Sequence, residues 1–163
     1  AKECGIEMPE TRLFEDKYFG VERFDRTSSG KLHVVSIAAL IGADYRMPSI
    51  DYSHIFQVCA VLTHNIAELW KVYRLMVFNY LIENKDDHAK NFAFIYRDGD
   101  WHFSPAYDLL PSDGMNGFHT TSINDSIEPT MEDLFTIAVK AGLNKKEAEK
   151  IVISMKSVIN KVK

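Results

Sequence analysis

The chain has 163 residues, of which 46% are hydrophobic and 26% are charged. These values are typical of one soluble globular domain with a real core. The net charge of −4 and the pI of about 5.9 argue against a nucleic-acid-binding or membrane-binding character of the surface as a whole.

The remaining bulk features indicate a cytoplasmic protein. Cys4 and Cys59 lack the spacing of a metal site, and we expect two thiols in a reducing compartment. The most apolar stretch, residues 66–82, contains three charged residues, so we expect no transmembrane helix. The opening is too polar for a signal peptide and has no initiator methionine. We therefore expect the later part of a longer cytoplasmic protein.

The first thirty residues predict short elements. Residues 1–7 are expected to be the end of a helix, because a proline follows and cannot continue it. Residues 11–14 and 18–24 predict two strands joined by a tight turn. The polar residues 26–30 predict a loop.

The middle of the chain predicts three helices. A short helix is expected over residues 36–41, ended by Gly42, and a second over residues 52–63. The strongest helix covers residues 66–83, where apolar residues recur at the i, i+3, i+4 spacing of a buried helix.

A hairpin and two more helices are predicted after residue 91. Residues 92–96 and 101–103 are apolar runs separated by an Asp-Gly turn, which is a strong hairpin signal. A loop rich in glycine, serine, asparagine and threonine extends from 111 to about 130. Capping-type residues then start one helix near Thr130 and another near Asn144.

The strongest chemical signal is the run of residues 84–91, Asn-Lys-Asp-Asp-His-Ala-Lys-Asn, with Asp108 beyond the hairpin. Mg²⁺ prefers oxygen ligands from carboxylates, phosphates and water. Phosphoryl transfer also needs a residue that orients the attacking hydroxyl. We predict that Asp86 orients the hydroxyl, and that Asn91 and Asp108 hold Mg²⁺ with ATP.

Each of these residues also has a simpler interpretation. Aspartate often caps turns, so Asp86 could have that structural role. Asparagine often forms hydrogen bonds within turns, so Asn91 could be structural as well. Asp108 is a charge amid apolar neighbours, so its burial would require a cation or an Arg or Lys partner. Asp87 is equally compatible with a solvated loop. The other five histidines are interpreted as structural or surface residues: His33, His54, His64, His102 and His119.

Three segments taken together resemble one family. Residues 21–26, 86–92 and 104–110 are similar, in order and spacing, to motifs of the HipA family of bacterial serine/threonine kinases, the toxins of HipBA-type toxin–antitoxin systems. The resemblance implies an α+β, mainly helical fold, the large C-terminal lobe of a protein-kinase-like fold, with a small β-hairpin carrying the catalytic loop. Residues 1–26 would be the hinge approach and residues 27–163 the helical lobe.

The resemblance also implies a role for each matching residue. Asp86 would be the catalytic aspartate, and Asn91 and Asp108 the magnesium pair. Six residues would contact ATP, at the hinge or near the phosphates: Glu22, Arg23, Phe24, His88, Lys90 and Tyr107. The implied partners are a protein substrate, for which the family's best-known example is an aminoacyl-tRNA synthetase, and a HipB-like antitoxin. Direct contact with nucleic acid is not expected.

The resemblance begins only at the hinge approach. The glycine-rich phosphate loop and the lysine strand that the family places upstream have no counterpart here. Since positioning supplies most of the rate enhancement in phosphoryl transfer, we expect these 163 residues alone to be inactive or very weak.

Two other functions fit parts of the pattern. One is a non-catalytic, pseudokinase-like module that docks an antitoxin or another regulator. The other is a metal-dependent hydrolase that uses Asp86, His88 and Asp108.

Overall fold

The computed structural model describes residues 1–44, 50–114 and 117–161. Within these ranges the chain forms nine strands, five α-helices and a 3₁₀ turn. In chain order they are the 3₁₀ turn Lys2–Cys4, β1 Thr11–Phe14, β2 Tyr18–Val21, β3 Arg26–Thr27, β4 Gly30–Lys31, β5 His33–Ser36, α1 Ile37–Ile41, β6 Ile50–Asp51, α2 Tyr52–Thr63, α3 Ile66–Ile82, β7 Ala93–Arg97, β8 Asp100–Phe103, β9 Thr121–Ser122, α4 Met131–Lys140 and α5 Lys145–Ile159.

The five helices predicted after residue 35 are confirmed to within one residue at their start, and local capping explains the bounds of α2 and α3. The Asp51 carboxylate accepts a hydrogen bond from the backbone N–H of Ser53 at 2.8 Å and starts α2. The Asn65 side chain does the same for α3 through the N–H of Ala67 at 2.9 Å. His64 and Glu83 end these helices in the left-handed conformation.

Several short strands differ from the predictions. The predicted loop at 26–30 contains the hairpin β3–β4, and β2 ends three residues earlier than expected. Strand β5, absent from the predictions, pairs antiparallel with β7, and β6 pairs in parallel with β9. Two-residue strands have too few side chains to show a periodicity.

The opening residues form less helix than predicted. Only Lys2–Cys4 forms a single 3₁₀ turn, which ends at Gly5 in the left-handed conformation. The following hairpin β1–β2 projects from the body of the domain, and nearly all of its residues are exposed.

Helix α3 is the centre of the core. It packs against α2, α4, α5 and the hairpin strand β8. Val72, Tyr73, Met76 and Val77 on this helix are completely buried. Within the described ranges, every helix is too short or too polar to cross a bilayer.

A buried carboxylate on α3 attaches the hairpin β7–β8 to this core. The Glu68 side chain accepts a hydrogen bond from the Phe103 N–H at 2.9 Å and forms an ion pair with Lys71 at 3.1 Å. Lys71 also pairs with Glu7 at 3.0 Å. Burial alone would lower the pKa of Lys71, but its two carboxylate partners outweigh burial and raise it. The hairpin and the N-terminal segment are therefore both fixed to α3.

We expect the stability of the domain to depend on pH through the Asp51 carboxylate. Burial raises the pKa of Asp51, but hydrogen bonds from Ser53, Asp125 and Ser122 outweigh burial and lower it. The unfolded-state pKa is about 3.9. The stability contributed by this group is present above that value and is lost as the pH falls through the lower folded-state pKa.

We expect Asp51→Asn to lower the free energy of unfolding at pH 7 by about 1–3 kcal/mol, since a charge-assisted acceptor is lost. The variant should also lose less stability than the wild type between about pH 5 and pH 2. Urea unfolding across this range measures both effects. Asp16→Asn, in the exposed β1–β2 turn, is the control. An acid slope in Asp51→Asn equal to that of the wild type would contradict the assignment.

Candidate functional site

The run predicted to carry the chemistry, residues 84–91, forms the connection from α3 to β7 and is here called the 84–91 loop. Its first residues are fixed by backbone hydrogen bonds. The Asn84 N–H donates to the Asn79 carbonyl at 2.9 Å, and the Lys85 N–H donates to the Ser112 carbonyl at 3.1 Å. The Thr120 N–H donates to the Lys85 carbonyl at 3.0 Å.

The last residues of the loop are fixed from a different side of the domain. The Ala38 N–H, at the start of α1, donates to the Ala89 carbonyl at 3.1 Å. The Tyr107 hydroxyl donates to the Lys90 carbonyl at 2.6 Å. The loop is therefore held at both ends by elements remote in sequence.

Asp87 is buried, with only 1% of its surface exposed, so the interpretation as a solvated loop residue is wrong. Its carboxylate accepts hydrogen bonds from the Tyr52 hydroxyl at 3.1 Å and the Thr121 N–H at 3.2 Å, and lies 3.4 Å from Nδ1 of His119. Burial raises the pKa of Asp87, although these hydrogen bonds oppose the shift. His119 is likewise buried, as the structural interpretation predicted.

The Asp86 side chain points the other way and is exposed. Among the described residues, no group donates a hydrogen bond to its carboxylate, so the turn-capping interpretation is not observed there. The backbone on both sides of Asp86 is fixed by the contacts of Lys85 and Asp87. A fixed backbone thus presents an open carboxylate to solvent.

Asn91 is joined directly to Asp86. Its side-chain Nδ2 donates to the Asp86 carbonyl at 3.0 Å, which is the turn hydrogen bond of the simpler interpretation. This bond uses only the amide nitrogen. The amide oxygen is therefore compatible with a role as a ligand.

Asp108 is exposed, so the cost of burying its charge does not arise. The backbone at this residue is left-handed, with φ of 55°, and turns the chain outward, so that Leu110 is also exposed. No Arg or Lys pairs with Asp108 within the part of the chain that the structure describes. Burial, and secondly the charge of Asp108, raise the pKa of Tyr107 to about 12.

The predicted hinge residues meet Tyr107 in one cavity. Glu22, Arg23, Phe24 and Tyr107 line a cavity of about 320 Å³, together with three apolar residues and Asp25. The Phe24 and Tyr107 rings are stacked, with centroids 5.8 Å apart and planes inclined by 29°. The volume lies at the lower end of the range for small-molecule pockets. Flat aromatic walls of this kind suit a planar base.

Other predicted nucleotide contacts lie outside this cavity. His88 is half-buried and Lys90 is exposed in the 84–91 loop, and neither lines the cavity. The Tyr107 hydroxyl, which donates to the Lys90 carbonyl, links Lys90 to the cavity. The Arg23 guanidinium forms two hydrogen bonds with Asp25, at 2.8 and 2.7 Å, so its charge is already paired.

The two predicted metal ligands each carry an oxygen of the type that Mg²⁺ prefers. These are the carboxylate of the exposed Asp108 and the amide oxygen of Asn91. Among the described residues, no group of three or more His, Cys, Asp or Glu side chains is arranged to hold a metal. The hydrolase set of Asp86, His88 and Asp108 is therefore not assembled there.

Comparison with known proteins identifies the family. The family model described as "HipA-like C-terminal domain" matches residues 1–162. The chain belongs to the HipA-like C-terminal domain family. The predicted resemblance is thereby confirmed over nearly the whole HipA-like chain.

Two curated relatives carry kinase names. A protein of Sinorhizobium fredii named "Putative kinase Y4dM" is 30% identical over an alignment of 170 residues. The aligned parts cover 90% of this chain and 41% of the relative. A Haemophilus influenzae protein named "Putative kinase" is 27% identical over 129 residues, which cover 67% and 37%. The HipA-like chain thus spans about two fifths of the length of these relatives.

A solved structure supports the fold. HipA in a complex of a Shewanella oneidensis toxin–antitoxin system, with HipB and operator DNA, superimposes with a TM-score of 0.75 at 19% identity. The match covers 94% of this chain and 43% of that one. The α+β architecture is therefore similar to that of HipA.

A close backbone approach at Gly114 allows a test of how the loop is held. Gly114 has φ of 63°, and an added Cβ would lie 2.7 Å from the Lys85 Cβ and 2.6 Å from the Phe118 carbonyl oxygen. We expect Gly114→Ala to lower the free energy of unfolding by about 2–4 kcal/mol, because backbone strain and a steric clash add.

The matched control is Gly42→Ala. Gly42 has nearly the same φ, 65°, but nothing lies within 4 Å of an added Cβ. We expect that variant to lose about 1 kcal/mol through strain alone. Equal losses in the two variants, measured by urea unfolding, would show that Gly114 does not pack tightly on the loop.

Proposed function

We propose that this chain is the C-terminal, catalytic part of a protein serine/threonine kinase that transfers the γ-phosphoryl group of ATP to a Ser or Thr hydroxyl. The observation that carries the proposal is the open Asp86 carboxylate on a fixed loop, with Asn91 bonded to its backbone. The kinase names of the two relatives support the same reaction class. The fold would be the helical lobe of a kinase-like architecture, entered through residues 1–26.

Asp86 would orient the attacking hydroxyl and accept its proton as the new P–O bond forms and the bond from the γ-phosphorus to ADP breaks. In phosphoryl transfer the protein contributes mainly positioning and electrostatic stabilisation. No described residue donates to the Asp86 carboxylate, so no hydrogen bond from those residues has to be broken before it accepts this proton. The fixed backbone on both sides of Asp86 keeps the geometry constant through the reaction.

Asn91 and Asp108 would hold Mg²⁺, which when bound neutralises charge on the phosphate oxygens. Two protein oxygens leave the remaining positions for phosphate and water, as is usual for this ion. The Asp108 charge has no competing ion pair among the described residues. Its pairing with a dication would therefore cost no existing salt bridge.

ATP would bind with its base in the cavity of about 320 Å³. Phe24 and Tyr107 supply the aromatic wall. The Glu22 N–H already donates to the Glu10 carbonyl and the Arg23 carbonyl already accepts from the Arg26 N–H, so the Glu22 carbonyl and the Arg23 N–H would be the hinge groups that meet the base. His88 and Lys90 would face the phosphates from the 84–91 loop. The Tyr107 hydroxyl on the Lys90 carbonyl couples the base pocket to this loop.

The proposed activity belongs to the natural polypeptide that contains this chain. The chain spans 41% and 37% of the length of its two curated relatives. We propose a protein substrate, for which an aminoacyl-tRNA synthetase is the first to test. A HipB-like antitoxin is the proposed partner, because the structural neighbour is HipA bound to HipB and DNA.

Asp86→Asn tests the central assignment. In the full-length polypeptide we expect this variant to incorporate at least about 100-fold less label from γ-³²P-ATP, because a general base contributes that much or more. The control is Asp98→Asn, an exposed carboxylate in the β7–β8 turn. It should retain wild-type incorporation.

Equal incorporation by Asp86→Asn and the wild type would remove Asp86 from its role. No incorporation by any variant, with retained binding of a HipB-like antitoxin, would instead favour the non-catalytic docking module.

Asp108→Asn tests the magnesium assignment. Asparagine tolerates the left-handed backbone at this position, so the fold is kept while the charge is lost. We expect the Mg²⁺ concentration for half-maximal activity to rise about tenfold or more, with an unchanged urea midpoint. Unchanged Mg²⁺ dependence would exclude Asp108 as a ligand.

A further inference from the structure

Two buried polar side chains beside the proposed catalytic residue have no role in the proposed reaction. Asp87 follows Asp86 directly, yet its carboxylate is 1% exposed and points into the domain. His119 lies against it and is 7% exposed. Neither contacts the cavity assigned to ATP.

Both oxygens of the Asp87 carboxylate are satisfied by donors from distant elements. Tyr52, the first residue of α2, donates to Oδ2 at 3.1 Å, and Nδ1 of His119 lies 3.4 Å from the same atom. The Thr121 N–H donates to Oδ1 at 3.2 Å, and the Thr121 hydroxyl donates to the Asp87 carbonyl oxygen. Side chain and backbone of Asp87 are thus held together.

The same network reaches the end of α3. Asn79 Nδ2 donates to the Tyr52 hydroxyl at 3.1 Å, and Asn84 Nδ2 donates to the Asn79 side-chain oxygen at 3.1 Å. Asn84 is the first residue of the 84–91 loop. The network therefore holds this loop at residues 84 and 87, one on each side of Asp86.

A buried carboxylate is a costly way to stabilise a fold. An apolar residue of similar size often stabilises a protein as well as a buried ion pair does, whereas removing one partner costs about 3–5 kcal/mol. A buried carboxylate also fixes the orientation of its own side chain, because its two oxygens can accept from donors in fixed positions in only one orientation. Asp86 and Asp87 share a peptide unit. Holding the side chain and backbone of Asp87 therefore restricts the backbone conformation at Asp86 and the direction in which its side chain leaves the chain.

We propose that Asp87 and His119 are positioning residues that hold the 84–91 loop in the orientation in which Asp86 faces the acceptor hydroxyl. The inference rests on the proposed function of Asp86. Neither residue touches substrate. A displacement of about 1 Å of a reacting group can cost about 100-fold in rate, so the pair acts on the rate of transfer through the geometry of Asp86.

The molecule contains a matched pair outside the site. Glu68 is also a buried carboxylate, 3.4 Å from Nδ1 of His102, and it accepts from the Phe103 N–H at 2.9 Å. This pair fixes the hairpin β7–β8 to α3. Its loss would reduce stability without changing the neighbours of Asp86.

The experiment compares the two pairs in the full-length polypeptide. Asp87→Asn and His119→Ala are set beside Glu68→Gln and His102→Ala, and His119→Asn restores a side-chain N–H close to the position of Nδ1. For each variant we would measure kcat, KM for ATP, the free energy of unfolding, and amide hydrogen exchange within residues 84–91.

We expect Asp87→Asn and His119→Ala to lower kcat about tenfold or more while KM for ATP stays within about twofold, since base binding is untouched. Exchange within residues 84–91 should accelerate in both variants. His119→Asn should recover most of the loss in kcat. Glu68→Gln and His102→Ala should lose stability but keep kcat and the exchange rates of this loop.

Equal loss of kcat in the two pairs, or no loss in the Asp87 pair, would overturn the inference. If the wild type shows no Asp86-dependent transfer, the proposed function fails, and the exchange data alone decide the positioning role. Loop exchange in Asp87→Asn that matches Glu68→Gln would then overturn it. Should Asp87→Asn not fold, Tyr52→Phe removes a single donor to the same carboxylate and is judged by the same criteria.

Discussion

The candidate site depends on one buried carboxylate. The Asp87 carboxylate is in hydrogen-bond contact with Tyr52, His119 and Thr121, which belong to parts of the chain far from Asp87 in sequence. An unpaired charge at that depth would cost several kcal/mol, so these segments must meet for the domain to fold. The same requirement keeps the neighbouring residue, Asp86, at the surface. A constraint of folding therefore becomes a constraint on the geometry of the site.

Helix α3 carries this constraint across the domain. Near its start, the Glu68 carboxylate accepts a hydrogen bond from the Phe103 N–H of the hairpin β7–β8. Near its end, the Asn79 side chain belongs to the hydrogen-bond network that leads to the 84–91 loop. The 84–91 loop carries Asp86 and Asn91. The proposed base and one of the proposed metal ligands are thus fixed to the end of one buried helix, away from the hairpin contact at its start. Sites supported in this way hold the close tolerances that phosphoryl transfer needs.

The sequence predicted what local patterns encode. The apolar periodicity of residues 66–83 predicted helix α3, and contiguous motifs such as the one around Asp86 indicated the family. The parallel pairing of β6 with β9 and the burial of Asp87 were missed, because they depend on partners 32 or more residues away. The sequence did not decide whether Asp108 is buried, since the adjacent leucines give no sign of the left-handed backbone at this residue.

The left-handed backbone at Asp108 has a consequence for how such proteins diverge. At φ of 55° aspartate and asparagine are tolerated, whereas β-branched residues are strongly disfavoured. If Asp108 holds Mg²⁺ as proposed, a lineage that loses this metal can exchange the acid for its amide without disturbing the turn. Loss of chemistry and loss of architecture are separable at this residue, so an inert descendant would keep its shape and its contacts. Inspecting that one side chain would help to distinguish working members from silent ones.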